Sequence, residues 1–312
     1  MKRTLAVLTQ PRRFELVEDD VHIGDNQVLV KVEACGLCSW ELYHFHGKFG
    51  SPLTLGHEPS GVVADLGKNV EGFQIGDRVT GFFKPGFATY AAASPSSIIK
   101  IPEGVKTEHA LGEPLACVSN IVRAANPEFG DYILFFGCGF MNLLALSALV
   151  GRRPAELIAV DVLDSKLKIA EDIGATVTLN PKEVDLVAEV KRITRNRGVD
   201  IVLEATGKPG IVDSASELLR TGRGKLLLVS SHSHSEKVNM ELWQRGTIIL
   251  NPHPPYSLDL MDDLRRGIEG LARGVFPMER LITHRFRLND IQRAFETYSK
   301  KPEDYVKGVV IP

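Results

Sequence analysis

The sequence predicts an α/β protein of two domains: one β-rich, the other built on a doubly wound parallel sheet. Three observations carry this. Residues 1 to about 110 read as short strands separated by Gly, Pro and Asp. From about residue 112, continuous apolar strands alternate with helical segments, a pattern that needs a parallel sheet covered on both faces. From about residue 252 the pattern turns mixed again and ends in KGVVIP, an edge-strand sequence. The boundaries follow as 1–117 with 252–312 for the first domain and 118–251 for the second, and 312 residues suffice for both.

The elements follow in order. LAVL, VLVKVEA, GVVADLG, DRVTGFF and SIIKIP alternate or run apolar, as antiparallel strands of a distorted barrel do. LGEPLACVSNIVRAA has helical spacing and leads into the second domain. There the strands YILFFG, LIAVDV, TVTLN, IVLEAT, KLLLVS and TIILN alternate with the helices NLLALSALVG, SKLKIAEDIG, VDLVAEVKRITR, PGIVDSASELLR and NMELWQR.

Composition excludes several classes. At 44% hydrophobic and 24% charged the chain is neither disordered nor membrane-like. A net charge of -2 gives no basis for a nucleic-acid or membrane surface. No apolar run approaches the roughly 18 residues of a spanning helix, and the N-terminus soon turns acidic, unlike a signal peptide. A cytoplasmic protein is expected. Its four cysteines, Cys35, Cys38, Cys117 and Cys138, suit core packing and one ligand better than disulfides. Cys35 and Cys38 form a CxxC pair, but no second pair follows to make a zinc ribbon.

YILFFGCGFMNLLALSALVG reads as strand, turn and helix, with Gly137 and Gly139 in the turn and Asp161 ending the next strand. This order suits a dinucleotide. Gly137 permits the tight turn, and Gly139 lets the backbone approach a pyrophosphate at the helix N-terminus. Asp161 can accept from an adenosine ribose and would repel a 2′-phosphate, which favours NAD over NADP; Lys166 could reach the same ribose. Asn142 replaces the third glycine of the fingerprint and is expected to push the helix outward or loosen its fit. A domain that has lost its nucleotide is the alternative.

A second constellation suits a metal. Cys38, His57 and one carboxylate, Glu58 or Glu113, would make an open zinc site with room for a water. Singly, each residue has a plainer reading, as a core thiol, a turn or a helix start. Further on, Glu204-Ala205-Thr206-Gly207 ends a parallel strand, where such sheets bind ligands. His232, nearest the next strand end, could line a pocket, whereas His234 is expected in a solvated loop, and His44 and His46 at the surface.

These segments together resemble the medium-chain dehydrogenase/reductase family, in its zinc-dependent alcohol and polyol (sorbitol-dehydrogenase-like) branch. CGLCSWELYHFHGKF, GHEPSGVVADLGKNVEGFQIGDRV, GEPLA, GVDIVLEATG and LITHRFRLNDIQRAFE carry the resemblance nearly end to end. It implies a GroES-like catalytic domain and a Rossmann cofactor domain. It implies zinc ligands Cys38 and His57, completed by Glu58 or Glu113, with Glu41 orienting the histidine, and it places Thr206 near the nicotinamide ring. The four-cysteine structural lobe of many relatives is absent after Gly76-Asp77-Arg78-Val79, so one zinc per chain is expected. Relatives form dimers and tetramers, which implies a homo-oligomer. The implied reaction is hydride transfer between NAD and a secondary hydroxyl of a polyol, cyclitol or sugar. Two rivals on the same fold are a metal-free NADPH quinone or enone reductase and a dinucleotide-binding protein with little or no catalysis.

Trp40 departs from the resemblance. It stands where relatives carry a Ser or Thr that relays the alcohol proton, and Tyr43 stands where some end the relay in a histidine. An indole N–H donates but cannot accept. Either Glu58 or Glu113 takes the proton through a water, helped by Ser39 or Tyr43, or Trp40 shapes a pocket for an unusual substrate. The plainer reading of Trp40 is core packing.

Overall fold

A computed structural model of the chain describes residues 1–232 and 234–312. They form two compact units, one comprising Met1–Ala116, Met261–Gly274 and Met278–Pro312, the other Cys117–Leu260 and Val275–Pro277.

The first unit is built around the strand Val28–Gly36, which is buried on both faces except at Lys31 and Glu33. It belongs to a seven-stranded sheet that also holds Pro59–Leu66, Arg78–Gly81, Tyr90–Ala93, Ile98–Lys100, Ile282–Arg287 and Lys307–Ile311. Register matters here. Cys35 pairs with Pro59 on one side and with Val310 on the other, so three distant stretches of sequence meet at one end of the sheet. Phe45, Phe87 and Phe295 lead the core beneath it.

A strand not anticipated from the sequence, Arg13–Asp20, pairs antiparallel with Lys2–Gln10. Beyond Phe14 its residues are exposed, so the acidic run hides the alternation that marks a strand. Arg3 repays the acidity by pairing with Asp19 at 2.6 Å.

In the second unit the six strands Val177–Leu179, Glu156–Val160, Tyr132–Phe136, Ile201–Glu204, Lys225–Leu228 and Ile248–Leu250 lie in that spatial order, and all neighbours are parallel. Each was read from the sequence as an apolar strand, the edge strand Val177–Leu179 the least clearly so. The order reverses at Tyr132–Phe136, which makes the carboxyl end of that strand the topological switch point.

Asn142 corrects an expectation. It lies in the helix Phe140–Leu149, 1% exposed, and its side-chain amide donates to the carbonyls of Gly137 (2.8 Å), Leu203 (3.0 Å) and Phe136 (3.3 Å). The larger residue ties helix, turn and neighbouring strand together. Among the described residues, no helix is long and apolar enough to cross a membrane.

Candidate metal centre and nucleotide loop

CSWELYHF forms a short helix, Ser39–Phe45, after the Cys38 cap. Cys38 caps its N-terminus, and Glu41 at the third helical position reaches back to the Cys38 backbone N–H at 3.3 Å. This reciprocal arrangement satisfies donors that a helix start leaves open. It also aims Glu41, which is 1% exposed, at the next stretch. One of its oxygens accepts the Gly56 N–H at 2.7 Å and lies 3.0 Å from His57 Nδ1. Glu41 therefore holds a hydrogen on Nδ1 and leaves Nε2 to ligate.

Cys38 Sγ, a ring nitrogen of His57 and a carboxylate oxygen of Glu58 lie within 4.8 Å of one another. A thiolate, an imidazole and a carboxylate at this spacing fit zinc. Without an ion, burial pushes the Cys38 thiol up, against the hydrogen bond from His57. Burial works to lower the His57 value too, but the Glu41 carboxylate and the Cys38 sulfur outweigh it and raise it to about 12.

Lys307 was missed from the sequence. Its ammonium, 6% exposed, lies 2.5 Å from Glu58 Oε2 and donates to the Leu37 carbonyl at 2.9 Å. Burial alone would lower the Lys307 amine, but Glu58, Cys38 and Glu113 together hold it above its ordinary value. The only clue was a charge opening the apolar strand KGVVI. Gly36 makes room for the pair: a Cβ there would stand 1.9 Å from Glu58 Oε2 and 3.0 Å from Lys307 Cε. Glu113 opens the helix Gly112–Ala125, half-buried and in electrostatic range of Cys38, but the three-residue donor group does not include it.

Trp40 is not a core residue. It is 45% exposed and belongs to an aromatic cluster with Tyr43, His44 and Phe49. Of the histidines beside it, His44 is half-buried, while His46 is exposed and bonded to Ser299 Oγ at 3.1 Å. Ser39 Oγ meets the Tyr298 hydroxyl at 2.7 Å.

In the second unit, Gly137 follows its strand at φ 87°, and a Cβ there would meet Thr206 at 2.7 Å. Gly139 caps the helix Phe140–Leu149, and a Cβ there would find nothing within 4 Å, which leaves open space where a pyrophosphate needs it. Asp161 braces the turn by accepting from the N–H groups of Cys138 (2.7 Å) and Leu163 (3.0 Å). Lys166 is buried on the following helix, close enough to Cys138 to act on its thiol electrostatically. Glu204 is fully buried at its strand end and accepts from the N–H groups of Thr206 (2.7 Å) and Gly207 (3.0 Å). Its other oxygen lies 3.1 Å from His232 Nε2. His234 is partly shielded and lies 3.4 Å from Glu236, so it is not the freely solvated residue expected.

Known proteins match over the same ground. The family described as zinc-binding dehydrogenase matches residues 143–250, and the alcohol dehydrogenase GroES-like domain matches residues 24–103. A sorbitol dehydrogenase of Bacillus subtilis is 28% identical, covering 93% of this chain and 91% of its own. A sorbitol dehydrogenase of Halalkalibacterium halodurans is 30% identical over 63% of this chain and 67% of its own. Among solved structures, an Escherichia coli oxidoreductase/dehydrogenase of unknown specificity superposes with a TM-score of 0.90, at 26% identity over 100% of this chain and 99% of that one.

Proposed function

The chain belongs to the zinc-dependent alcohol dehydrogenase family, oxidoreductases acting on CH–OH groups, and on that premise we propose that it oxidises a secondary hydroxyl of a polyol, cyclitol or sugar with NAD. The convergence of Cys38, His57 and Glu58 within 4.8 Å, with Glu41 fixing the histidine, carries the reading. Sorbitol dehydrogenases among the relatives support the polyol class.

Cys38 and His57 hold the zinc with Glu58, and Glu113 stands by as the alternative carboxylate. Zinc bound there would supply a Lewis acid for the substrate oxygen, and a nicotinamide cofactor would supply hydride-transfer chemistry. Lys307 fixes Glu58 in place and balances its charge. Trp40 donates but cannot accept a proton. The released proton would then need another acceptor: Glu58 or Glu113, reached through a water with help from Ser39 or Tyr43, would serve.

Asp161, braced at the strand end by two backbone N–H groups, supports NAD over NADP. Gly139 admits the pyrophosphate, Lys166 serves the adenosine ribose, and Thr206, in the turn organised by Glu204, serves the nicotinamide side. One zinc per chain, a cytoplasmic setting and a homo-oligomer complete the proposal.

Metal analysis with a polyol panel tests it. About one zinc per chain and zinc-dependent NADH formation are expected. Protein that neither holds zinc nor gains activity from it would sink the proposal, and a preference for NADPH with quinones would favour the metal-free rival.

A further inference from the structure

Trp40 is the second residue of the helix that Cys38 caps, so its Cα lies within about 7 Å of the Cys38 Cα. It keeps 45% of its surface exposed, an unusual state for so large an apolar side chain beside a cluster of ligating groups. Its orientation is nonetheless fixed. The indole makes edge contacts with Tyr43 (centroids 5.9 Å apart, planes at 88°) and His44 (5.8 Å, 78°), and Phe49 lies 5.3 Å away. His44 in turn packs on Phe49 at 4.5 Å. Its Nδ1 is buried without a hydrogen-bond partner among the described residues, and burial lowers its proton affinity, so the ring stays neutral. Lys48 closes the far side, 5.0 Å from the centre of the Tyr43 ring.

We propose that Trp40, held by Tyr43, His44 and Phe49, is a stacking platform that selects ring-form polyhydroxylated substrates, cyclitols or cyclic sugars, over acyclic polyols. The inference rests on the polyol dehydrogenase reading above and narrows it. An aromatic face is electron-rich, and the C–H bonds on one face of a six-membered polyol ring are weakly positive, so the two attract while the hydroxyls around the rim stay hydrated. An acyclic polyol presents no such contiguous face and must freeze several torsions to imitate one. An apolar alcohol is served best by an enclosed apolar cavity, which an indole this open to water does not provide.

The test compares initial rates of zinc-loaded enzyme with NAD on cyclic polyols, acyclic polyols of similar size and simple apolar alcohols. It uses wild type, Trp40→Ala and Trp40→Phe. Wild type is expected to favour the cyclic class in kcat/KM. Trp40→Ala is expected to raise KM for cyclic substrates about fivefold or more beyond any rise for acyclic ones, the scale of one aromatic stacking contact. Trp40→Phe, which keeps a ring face, should recover most of that loss. A second readout needs no turnover. The chain has two tryptophans, so in a Trp243→Phe background the emission reports Trp40 alone, and cyclic ligands should shift it where acyclic ones do not. Preference for acyclic polyols or apolar alcohols, equal losses for both polyol classes in Trp40→Ala, or unmoved emission would each overturn the platform while leaving the dehydrogenase reading intact. Absence of zinc-dependent oxidation across all three classes would overturn that reading and the platform with it.

Discussion

Replacing Glu41 by Gln tests whether this carboxylate sets the metal centre. Glu41 receives three contacts: Gly56 N–H at 2.7 Å, His57 Nδ1 at 3.0 Å and Cys38 N–H at 3.3 Å. Gln matches its volume and keeps one acceptor oxygen, so Gly56 and His57 retain a partner. The other oxygen becomes an NH2 group facing the Cys38 N–H, donor against donor. The bond to His57 also loses its charge assistance, a difference of about 1 to 1.5 kcal/mol between charged and neutral hydrogen bonds. An unpaired backbone donor at Cys38 adds about 1 to 3 kcal/mol. Some of this cost also falls on the metal-free protein, so the net effect on the ion is smaller than the sum. Loss of zinc affinity of about 10- to 100-fold is expected, the usual cost of removing a group that orients a metal-bound histidine. Competition against a chromophoric chelator at neutral pH measures it, with thermal unfolding of the metal-free protein as the folding control. Zinc affinity within about threefold of wild type, in a folded variant, would show that Glu41 does not orient the ligand; the threefold limit is well inside the expected range.

Three substitutions probe other parts of the molecule. Lys307→Met leaves the buried Glu58 carboxylate without its cation and should destabilise the metal-free protein by about 3 to 5 kcal/mol in urea unfolding; Lys307→Met with Glu58→Gln should recover most of that, and no recovery would mean the pair is not coupled. Asn142→Gly, although it restores the usual fingerprint, removes three hydrogen bonds and should cost about 1 to 3 kcal/mol and weaken NADH binding; an unchanged or more stable variant would refute the bracing role. Arg285 holds the Glu108 carboxyl below its ordinary value through contacts at 3.1 Å. A lowered value means stability that is present above the unfolded pKa and lost as the pH falls through the folded one. Arg285→Met should therefore lower the unfolding free energy at pH 7 by about 0.5 kcal/mol, with the difference fading in strong acid.

What the sequence made legible has a physical pattern. Four of the parallel strands announced themselves because burial on both faces demands uninterrupted apolar runs, while the edge strands Val177–Leu179 and Ile248–Leu250 are partly exposed. Cys38 and His57, with Glu58 or Glu113 as the carboxylate, could be proposed because few residue types ligate metal and their surroundings resemble those of known dehydrogenases; the structure brings Cys38, His57 and Glu58 together. Lys307 was hidden because its role depends on register: only the pairing of Val310 with Cys35, and of Cys35 with Pro59, brings it to Glu58. Asn142 was misread because a missing glycine looks like damage until the three carbonyls around it are seen. Trp40 was left open between core packing and a pocket role: the usual burial of tryptophan describes a population, and this helix start places its indole outside the core.

The strand Lys307–Ile311 carries a consequence for biogenesis. Cys38, His57 and Glu58 leave the ribosome some 250 residues before Lys307 does, so the growing chain holds its ligands long before it holds the counter-charge that lets Glu58 be buried. A chain halted at residue 306 should fail to retain zinc through gel filtration where the full chain retains it. Without the strand Lys307–Ile311, Glu58 would be left without the cation that pairs with it.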